Sequence, residues 1–313
     1  APGKIDYTKR PVLLIHGWSN DAKHIENNPD NEWGNLQKEL EDKGYQVWRL
    51  QYSPANLNAM ETGGVISDAI DKLLDYGYKD FNNGKIDIVA HSFGGIVIRG
   101  YTQNLAIDKN GNQILYKENI RKLILVSSPV GGSYFANIID DISTIKVSNH
   151  PQCKELIEDE KLTGKSEATK DMQIGSEFTW NLNTFPFNNN IDYLTISGKE
   201  LLNDATILIP TKRYCLSNTW ETNDGVVALY NSNLIDKNIP SVLLDKFHSS
   251  IKIPLVGTEG IDLYSNTGKI VDLFLRDSLT PSTISSFINK NSGEYYYDPK
   301  STDEVPSQLK SGG

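Results

Sequence analysis

The segment 90–95, with the sequence AHSFGG, constrains the fold of this 313-residue chain more than any other. It directly follows the apolar run 86–89, which is typical of a buried strand, and the apolar residues after it have the spacing of a buried helix face. A serine on a sharp strand-to-helix turn requires small residues two positions before and after it, because the backbone turns tightly there. Ala90 and Gly94 occupy those positions, with alanine in place of the usual first glycine. The segment predicts a nucleophile elbow with Ser92 at its tip; the alternative is a Gly-Gly turn with an incidental serine.

A second apolar run, 11–15, ends in His16-Gly17-Trp18, upstream of the elbow. A serine nucleophile that attacks a carbonyl needs two backbone N–H donors for the negative oxygen, one after the nucleophile and one from a loop after an earlier strand. Phe93 and Trp18 occupy those two positions, so we expect their amides to form an oxyanion hole. His16 is interpreted as a strand-end residue that hydrogen-bonds the loop carrying Trp18, rather than as the catalytic base.

These two segments and three later ones resemble the α/β-hydrolase superfamily, and within it the bacterial lipases and carboxylesterases. The resemblance extends from about residue 11 to residue 248, and alanine at the first position of the elbow is also found in a group of small bacterial lipases. The segments that carry it, in the expected order, are HGW at 16–18, AHSFGG at 90–95 with IVIRGY after it, SPVGGS at 128–133 and NDGVV at 223–227. The resemblance implies a mostly parallel sheet flanked by helices, with an inserted cap or lid.

In this superfamily the catalytic residues follow one another in the order serine, acid, histidine. Asp224 lies in a tight polar turn that enters an apolar run, as an acid at the end of a strand would, although an aspartate that caps its own turn has the same appearance. Of the five histidines, only His248 follows Asp224 in the chain; His150 precedes it. The predicted catalytic triad is therefore Ser92, Asp224 and His248.

The function expected from this triad is hydrolysis of acylglycerol-like or other carboxylic esters through an acyl-enzyme intermediate. The same apparatus also serves phospholipid acyl hydrolases, amidases, peptidases and acyltransferases, which stay open as alternatives, together with a non-catalytic binding protein. A preference for long acyl chains is expected from the aromatic and aliphatic residues of the insertion. We expect a monomer in transient contact with a lipid–water interface.

The apolar runs alternate with helical patterns, as expected for an α/β fold with a parallel sheet buried on both faces. Strands are predicted at 12–16, 46–51, 85–90, 121–127, 193–197 and 242–247, and helices at 32–42, 65–74 and 268–276. We expect a catalytic domain over 1–288 with a cap insertion at about 131–190, and a loosely packed tail over 289–313. The run Tyr295-Tyr296-Tyr297 in this tail fits either an edge of the sheet or a carbohydrate contact.

The insertion has two interpretations, a mobile lid over the active site or a structural subdomain with its own small core.

Cys153 within the insertion and Cys215 beyond it form either a disulfide or two free thiols. No cofactor and no metal site are predicted: Ser250 stands where some related lipases have a calcium-binding aspartate, and His24 and His150 lack a recognised ligand spacing.

Composition excludes two classes of partner. A net charge of −9 without a basic cluster argues against nucleic-acid binding, and the apolar runs are far shorter than the roughly 20 residues that span a bilayer. The chain begins with Ala1-Pro2-Gly3, as in a processed mature protein or a trimmed chain, and secretion is the expected localisation.

Overall fold

The computed structural model describes the chain at residues 6, 8–18, 33, 36–52, 57–134, 136–137, 166–199, 224, 227–246, 252–253, 256–257, 265–302 and 305. Its strands are β1 (Pro11–Ile15), β2 (Gln46–Leu50), β3 (Ile86–His91), β4 (Ile120–Val126), β5 (Asp192–Gly198), β6 (Ser241–Leu244), β7 (Lys252–Ile253), β8 (Val256–Gly257) and β9 (Tyr295–Tyr297). Its α-helices are α1 (Leu36–Asp42), α2 (Ala59–Leu73), α3 (Phe93–Thr102), α4 (Glu167–Asp171), α5 (Glu177–Thr184), α6 (Leu229–Ser232), α7 (Ser265–Leu275) and α8 (Pro281–Ile284).

Seven strands form one sheet in the order β2-β1-β3-β4-β5-β6-β9, and a separate hairpin pairs β7 with β8. The first six strands of the sheet are parallel, and β9 pairs antiparallel with β6. Because the carboxyl ends of parallel strands share one edge of a sheet, the residues that follow β3, β4, β5 and β6 lie along the same edge. Of the two interpretations of the tyrosine run, the structure shows packing at the edge of the sheet.

Both faces of the sheet are covered, which explains why β1 is apolar throughout and why every described residue of β3 is buried. Successive residues of β1 point to opposite faces: Leu13 and Ile15 pack with α2 and α3, whereas Val12 and Leu14 pack with α1 and α7. The first of these two cores also contains Ala168, Phe178 and Leu182, which lie in α4 and α5. The described part of the insertion is thus packed into the same core as the catalytic domain.

Helix α2 differs from its prediction, because it begins at Ala59 rather than Val65. Asn58 accepts a hydrogen bond from the backbone N–H of Glu61, and the Glu61 carboxylate accepts one from the Asn58 backbone N–H, so a capping box fixes the start. Val65, predicted on the apolar face, is 38% exposed. The buried face of the helix instead includes Gly64, where an added Cβ would lie 2.2 Å from the backbone oxygen of Ile107.

The edge of the sheet opposite the elbow holds a cluster of buried charges. The Arg121 guanidinium donates two hydrogen bonds to the Asp87 carboxylate, at 2.8 and 2.6 Å, and a third to the Leu275 carbonyl at the end of α7. Arg10 donates to the same carbonyl, and Lys122 donates to the carbonyl of Phe274. Three cations from the first half of the chain therefore cap the C-terminus of α7, where the helix dipole favours positive charge.

In the part of the chain that is described, no helix has the length and apolar character needed to span a bilayer. The division into a domain over 1–288 and a tail over 289–313 stays a prediction.

Candidate active site

Ser92 lies between the last residue of β3 and the first residue of α3, at the carboxyl edge of the sheet. Its backbone angles, φ 51° and ψ −126°, fall in a region that residues other than glycine rarely adopt. Its N–H donates to the Val126 carbonyl at the end of β4, at 2.9 Å, and its carbonyl accepts from the Gly95 N–H in α3, at 3.0 Å. Strand β4 and helix α3 therefore both hold the turn. Ser92 is buried, with 8% of its surface exposed. This strained turn has the geometry of a nucleophile elbow.

Close packing around the turn explains the glycines next to it. An added Cβ on Gly94 would lie 2.5 Å from the His16 carbonyl oxygen, and one on Gly95 would lie 1.9 Å from the Ser128 Oγ. An added Cβ on Gly17 would lie 2.8 Å from the Ser92 Cβ. The loop after β1 and the loop after β4 therefore both contact the elbow.

His16 is held by hydrogen bonds to its own loop. Its Nδ1 lies 2.8 Å from the Gly17 carbonyl oxygen, its Nε2 accepts from the Tyr52 N–H at 3.4 Å, and its ring stacks on Tyr52 with 4.1 Å between centroids. The Tyr52 hydroxyl also donates to the His16 carbonyl at 2.6 Å. These contacts fix the loop that carries Trp18, which agrees with the interpretation of His16 as structural. The oxyanion hole formed by the amides of Trp18 and Phe93 stays a prediction.

Asp224 is buried, with 1% exposure, at the carboxyl end of β5. An added Cβ on Gly198, the last residue of β5, would lie 2.8 Å from the Asp224 Cβ and 2.6 Å from the Lys246 carbonyl oxygen. Asp224 therefore lies beside the segment that follows β6. Its Oδ1 accepts from the Val227 N–H at 2.8 Å, so the side chain also caps its own turn.

His248 lies outside the described residues, as do His24, His150, Cys153, Cys215 and Ser250. Lys246, two residues before His248, is the last described residue of the segment after β6. The structure thus places Ser92 after β3, Asp224 at the end of β5, and the approach to His248 after β6, all along one edge of the sheet. The triad itself stays a prediction, and the alternatives of a disulfide and two free thiols both stay open.

The described part of the insertion is attached to helix α3 by two buried side chains. Arg99 donates to the Leu182 carbonyl at 2.9 Å, and Gln103 donates to the carbonyls of Leu182 at 3.0 Å and Phe185 at 2.7 Å. These carbonyls are at the end of α5, where side-chain donors stabilise a helix. Complete burial lowers the pKa of Arg99 to about 9. The end of the insertion is therefore attached to the helix that starts at the elbow.

Two further contacts connect α4 to the catalytic domain. The Trp18 Nε1 donates to the Ser166 Oγ at 3.3 Å, and the Asp171 carboxylate accepts from the Ala59 N–H, at the first residue of α2, at 2.6 Å. The pKa of Asp171 is raised to about 6, mainly by burial; the hydrogen bond from the Ala59 N–H lowers it, and the nearby carboxylates of Glu167 and Glu61 raise it.

The insertion also presents aromatic residues to the outside. Trp180 on α5 is 70% exposed and Phe185 just after it is 46% exposed, whereas Phe178 is buried in the core. The aromatic residues of the insertion thus divide between core and surface. Within the described residues, no group of three or more His, Cys, Asp or Glu side chains is placed to hold a metal ion.

Several residues that connect the elements around the site have no recognisable signal in the sequence. Arg99 and Gln103 donate to the end of α5, and Asp171 accepts from the start of α2. Each acts on an element distant in the sequence. Only the fold brings these partners together.

No protein-family profile and no curated protein sequence matches the chain. Among solved structures, the chain is similar to the lipase BlEst2 of Bacillus licheniformis in its mature form, with 15% identity, a TM-score of 0.55, and coverage of 90% of this chain and 96% of that one. It is also similar to the metagenomic carboxyl esterase MGS0156, with 14% identity, a TM-score of 0.57, and coverage of 89% and 79%. A third similar structure is Staphylococcus hyicus lipase, with 16% identity, a TM-score of 0.53, and coverage of 88% and 97%.

These similarities, together with the mostly parallel sheet flanked by helices, show that the chain has the α/β-hydrolase fold. The predicted fold class is confirmed, and so is the resemblance to bacterial lipases and esterases at the level of the fold.

Proposed function

We propose that this protein is a serine hydrolase of carboxylic esters, with Ser92 as nucleophile, His248 as general base and Asp224 as the acid that orients His248. The observation that carries the proposal is the backbone of Ser92, which is held in a strained turn at the carboxyl edge of the sheet. Strain of this kind persists only where the surrounding packing enforces it, and it is typical of functional sites. Contacts from Gly17, Gly94 and Gly95 supply that packing here.

In the proposed reaction His248 removes the Ser92 proton as the Ser92 Oγ attacks the ester carbonyl. Buried Asp224 holds the imidazole in the productive tautomer and stabilises the imidazolium. The amides of Trp18 and Phe93 stabilise the oxyanion, each donor contributing about 2.7–4 kcal/mol. The imidazolium then protonates the leaving alcohol. Water, deprotonated by the same histidine, attacks the acyl-enzyme; the bond to the Ser92 Oγ breaks, the imidazolium returns the proton to that oxygen, and the acid is released.

The proposed substrate is an acylglycerol-like ester with a long acyl chain. The exposed aromatic side chains of Trp180 and Phe185 support this choice, together with the aliphatic composition of the insertion, because sites for apolar acyl chains are lined by apolar groups. The lipases and the carboxyl esterase with a similar fold support ester chemistry in general.

A fluorophosphonate probe tests the serine chemistry directly. We expect it to label the wild-type protein, and we expect Ser92→Ala to abolish labelling and to lower ester hydrolysis by roughly 10⁴–10⁶-fold. Ser67→Ala is the matched control, because Ser67 is a buried serine of α2 outside the proposed site. Labelling of the Ser92→Ala protein would refute the proposed nucleophile.

Rates on p-nitrophenyl esters of increasing chain length, compared with matched anilides, test the bond and the acyl group. Faster cleavage of octanoyl or longer esters supports a lipase. Much faster cleavage of acetyl or butyryl esters indicates an esterase instead, and preferred cleavage of anilides indicates an amidase.

A further inference from the structure

A buried carboxylate from the C-terminal segment holds the backbone that leads to His248. Glu294 is 6% exposed, and both of its carboxylate oxygens accept backbone hydrogen bonds. Its Oε1 accepts from the Asp245 N–H at 3.0 Å, and its Oε2 accepts from the Asn289 N–H at 2.5 Å. Asp245 directly follows β6 and precedes His248 by three residues.

The sheet places this carboxylate at the end of β6. Leu243 pairs with Tyr295 in the β6–β9 ladder, so Glu294 lies next to the point where β6 ends. The Glu294 backbone N–H closes the preceding turn by donating to the Asn289 carbonyl at 3.1 Å. Gly293, in that turn, has a left-handed φ of 75°. The carboxylate is therefore held from both sides and is not a mobile surface group.

A buried lysine joins this turn to β5. Lys199 follows Gly198 and its Nζ donates to the Ser292 carbonyl at 2.8 Å. The Lys199 ammonium also interacts with the charges of Asp245 and Glu294, both of which raise its pKa, although burial lowers it by more. The positive charge compensates the buried Glu294 carboxylate, and this makes a charged side chain tolerable at that place.

The same segment and the proposed acid both lie against the last residue of β5. The Lys199 and Lys246 N–H groups both donate to the Leu244 carbonyl, at 2.8 and 2.9 Å. The Lys246 carbonyl and the Asp224 Cβ both lie against Gly198. Three residues span at most about 11 Å, so fixing the Asp245 amide restricts where the imidazole of His248 can lie relative to Asp224.

We propose that Glu294 is a positioning residue, which holds the start of the segment 245–248 so that His248 meets Asp224; this rests on the proposed function. It acts through the Asp245 amide and does not touch the substrate. The consequence is that residues 289–297, which the sequence assigns to a tail, belong to the working catalytic unit.

Three variants of the full chain test this role. Glu294→Ala leaves the Asp245 amide without its acceptor, and we expect kcat and the rate of fluorophosphonate labelling to fall together by about tenfold to a hundredfold, with KM unchanged. Glu294→Gln keeps one acceptor oxygen for the Asp245 amide, and we expect it to recover most of kcat. Tyr297→Phe is the matched control: it removes a hydrogen bond from the Tyr297 hydroxyl to Asn238 that anchors the same strand away from the histidine segment, and we expect full kcat.

The outcomes separate the two proposals. Full kcat in Glu294→Ala refutes the positioning role while leaving the proposed function intact. A loss of kcat in Tyr297→Phe equal to that in Glu294→Ala also refutes it, because loosening of the strand alone then explains the effect. If the wild-type protein neither reacts with the probe nor cleaves esters, the proposed function fails, and the positioning role fails with it.

Discussion

Replacing Gly198 by alanine tests whether the close packing between β5, Asp224 and the segment after β6 is needed for catalysis. Gly198 ends β5, and an added Cβ there would lie 2.6 Å from the Lys246 carbonyl oxygen and 2.8 Å from the Asp224 Cβ. Neither atom belongs to the flexible end of a side chain. The methyl group must therefore push Asp224 and the segment that leads to His248 away from the strand.

The size of the effect follows from these distances. Carbon atoms in ordinary contact lie about 3.4 Å apart or more, so the Asp224 Cβ must move by about 0.6 Å. Overpacking of this kind costs about 1–3 kcal/mol, and the better strand propensity of alanine returns about 0.5–1 kcal/mol. We expect a net loss of about 1–2 kcal/mol in the free energy of unfolding. Because a misplacement of about 1 Å lowers catalysis by roughly 10²-fold, we expect kcat to fall by about tenfold.

Urea unfolding and steady-state hydrolysis of a p-nitrophenyl ester measure the two quantities. Gly63→Ala is the matched control, because an added Cβ there would lie 2.9 Å from the Ala106 Cβ, a similar clash that touches none of the proposed catalytic residues. We expect the control to lose stability and to keep kcat. A Gly198→Ala protein that is destabilised as expected and yet keeps full kcat would refute the role of Asp224.

Three further predictions concern stability. Arg121→Met leaves the buried Asp87 carboxylate without its main partner and should cost about 3–5 kcal/mol by urea unfolding. Ser92→Gly should abolish activity and raise the free energy of unfolding by about 1 kcal/mol over Ser92→Ala, because only glycine accepts the positive φ without strain. Burial raises the pKa of Asp171 from 3.8 to about 6, so the folded protein keeps a proton that the unfolded chain loses. Stability should therefore fall as pH rises from about 4 to 6, by about 2–3 kcal/mol relative to Asp171→Asn.

Each of these has its own check. The double variant Arg121→Met with Asp87→Asn should regain at least half of the lost stability, and no regain would contradict the attribution to a stranded charge. Equal stabilities of the glycine and alanine variants at Ser92 would mean that the turn stores no strain. A difference between wild type and Asp171→Asn that is flat with pH would exclude the proton linkage.

The central sheet was predictable because its strands are buried on both faces. Continuous apolar runs such as 12–15 and 123–126 stand out from the surrounding polar chain, and all six predicted strands are present within a few residues of their predicted ends. Strand β9 was not assigned, since its tyrosines are only half-buried and its pairing partner β6 lies far away in the sequence. The start of α2 was missed because Gly63 and Gly64 interrupt the helical pattern. The capping box of Asn58 and Glu61 was the available signal.

The elbow was predictable for a different reason: the nucleophile and the small residues that allow the sharp turn are adjacent in the sequence. The segment AHSFGG specifies Ser92 and the small residues around it without reference to the rest of the fold. Residues that act across the fold, such as Glu294 on the Asp245 amide, leave no local pattern. The sequence around Glu294, a polar segment followed by three tyrosines, does not indicate whether its carboxylate is buried or exposed to solvent.

The cations that cap α7 also govern when this protein can acquire its fold during synthesis. Arg10, Arg121 and Lys122 leave the ribosome long before residues 274–277, which supply the carbonyls and the Asp277 carboxylate that they bind. Until the C-terminal part of the chain has emerged, closing the sheet would bury these charges without their full set of partners, at a cost of several kcal/mol. We therefore expect the sheet to close only once residues 274–277 are present, and we expect a protein shortened before residue 274 to be less stable than the full chain.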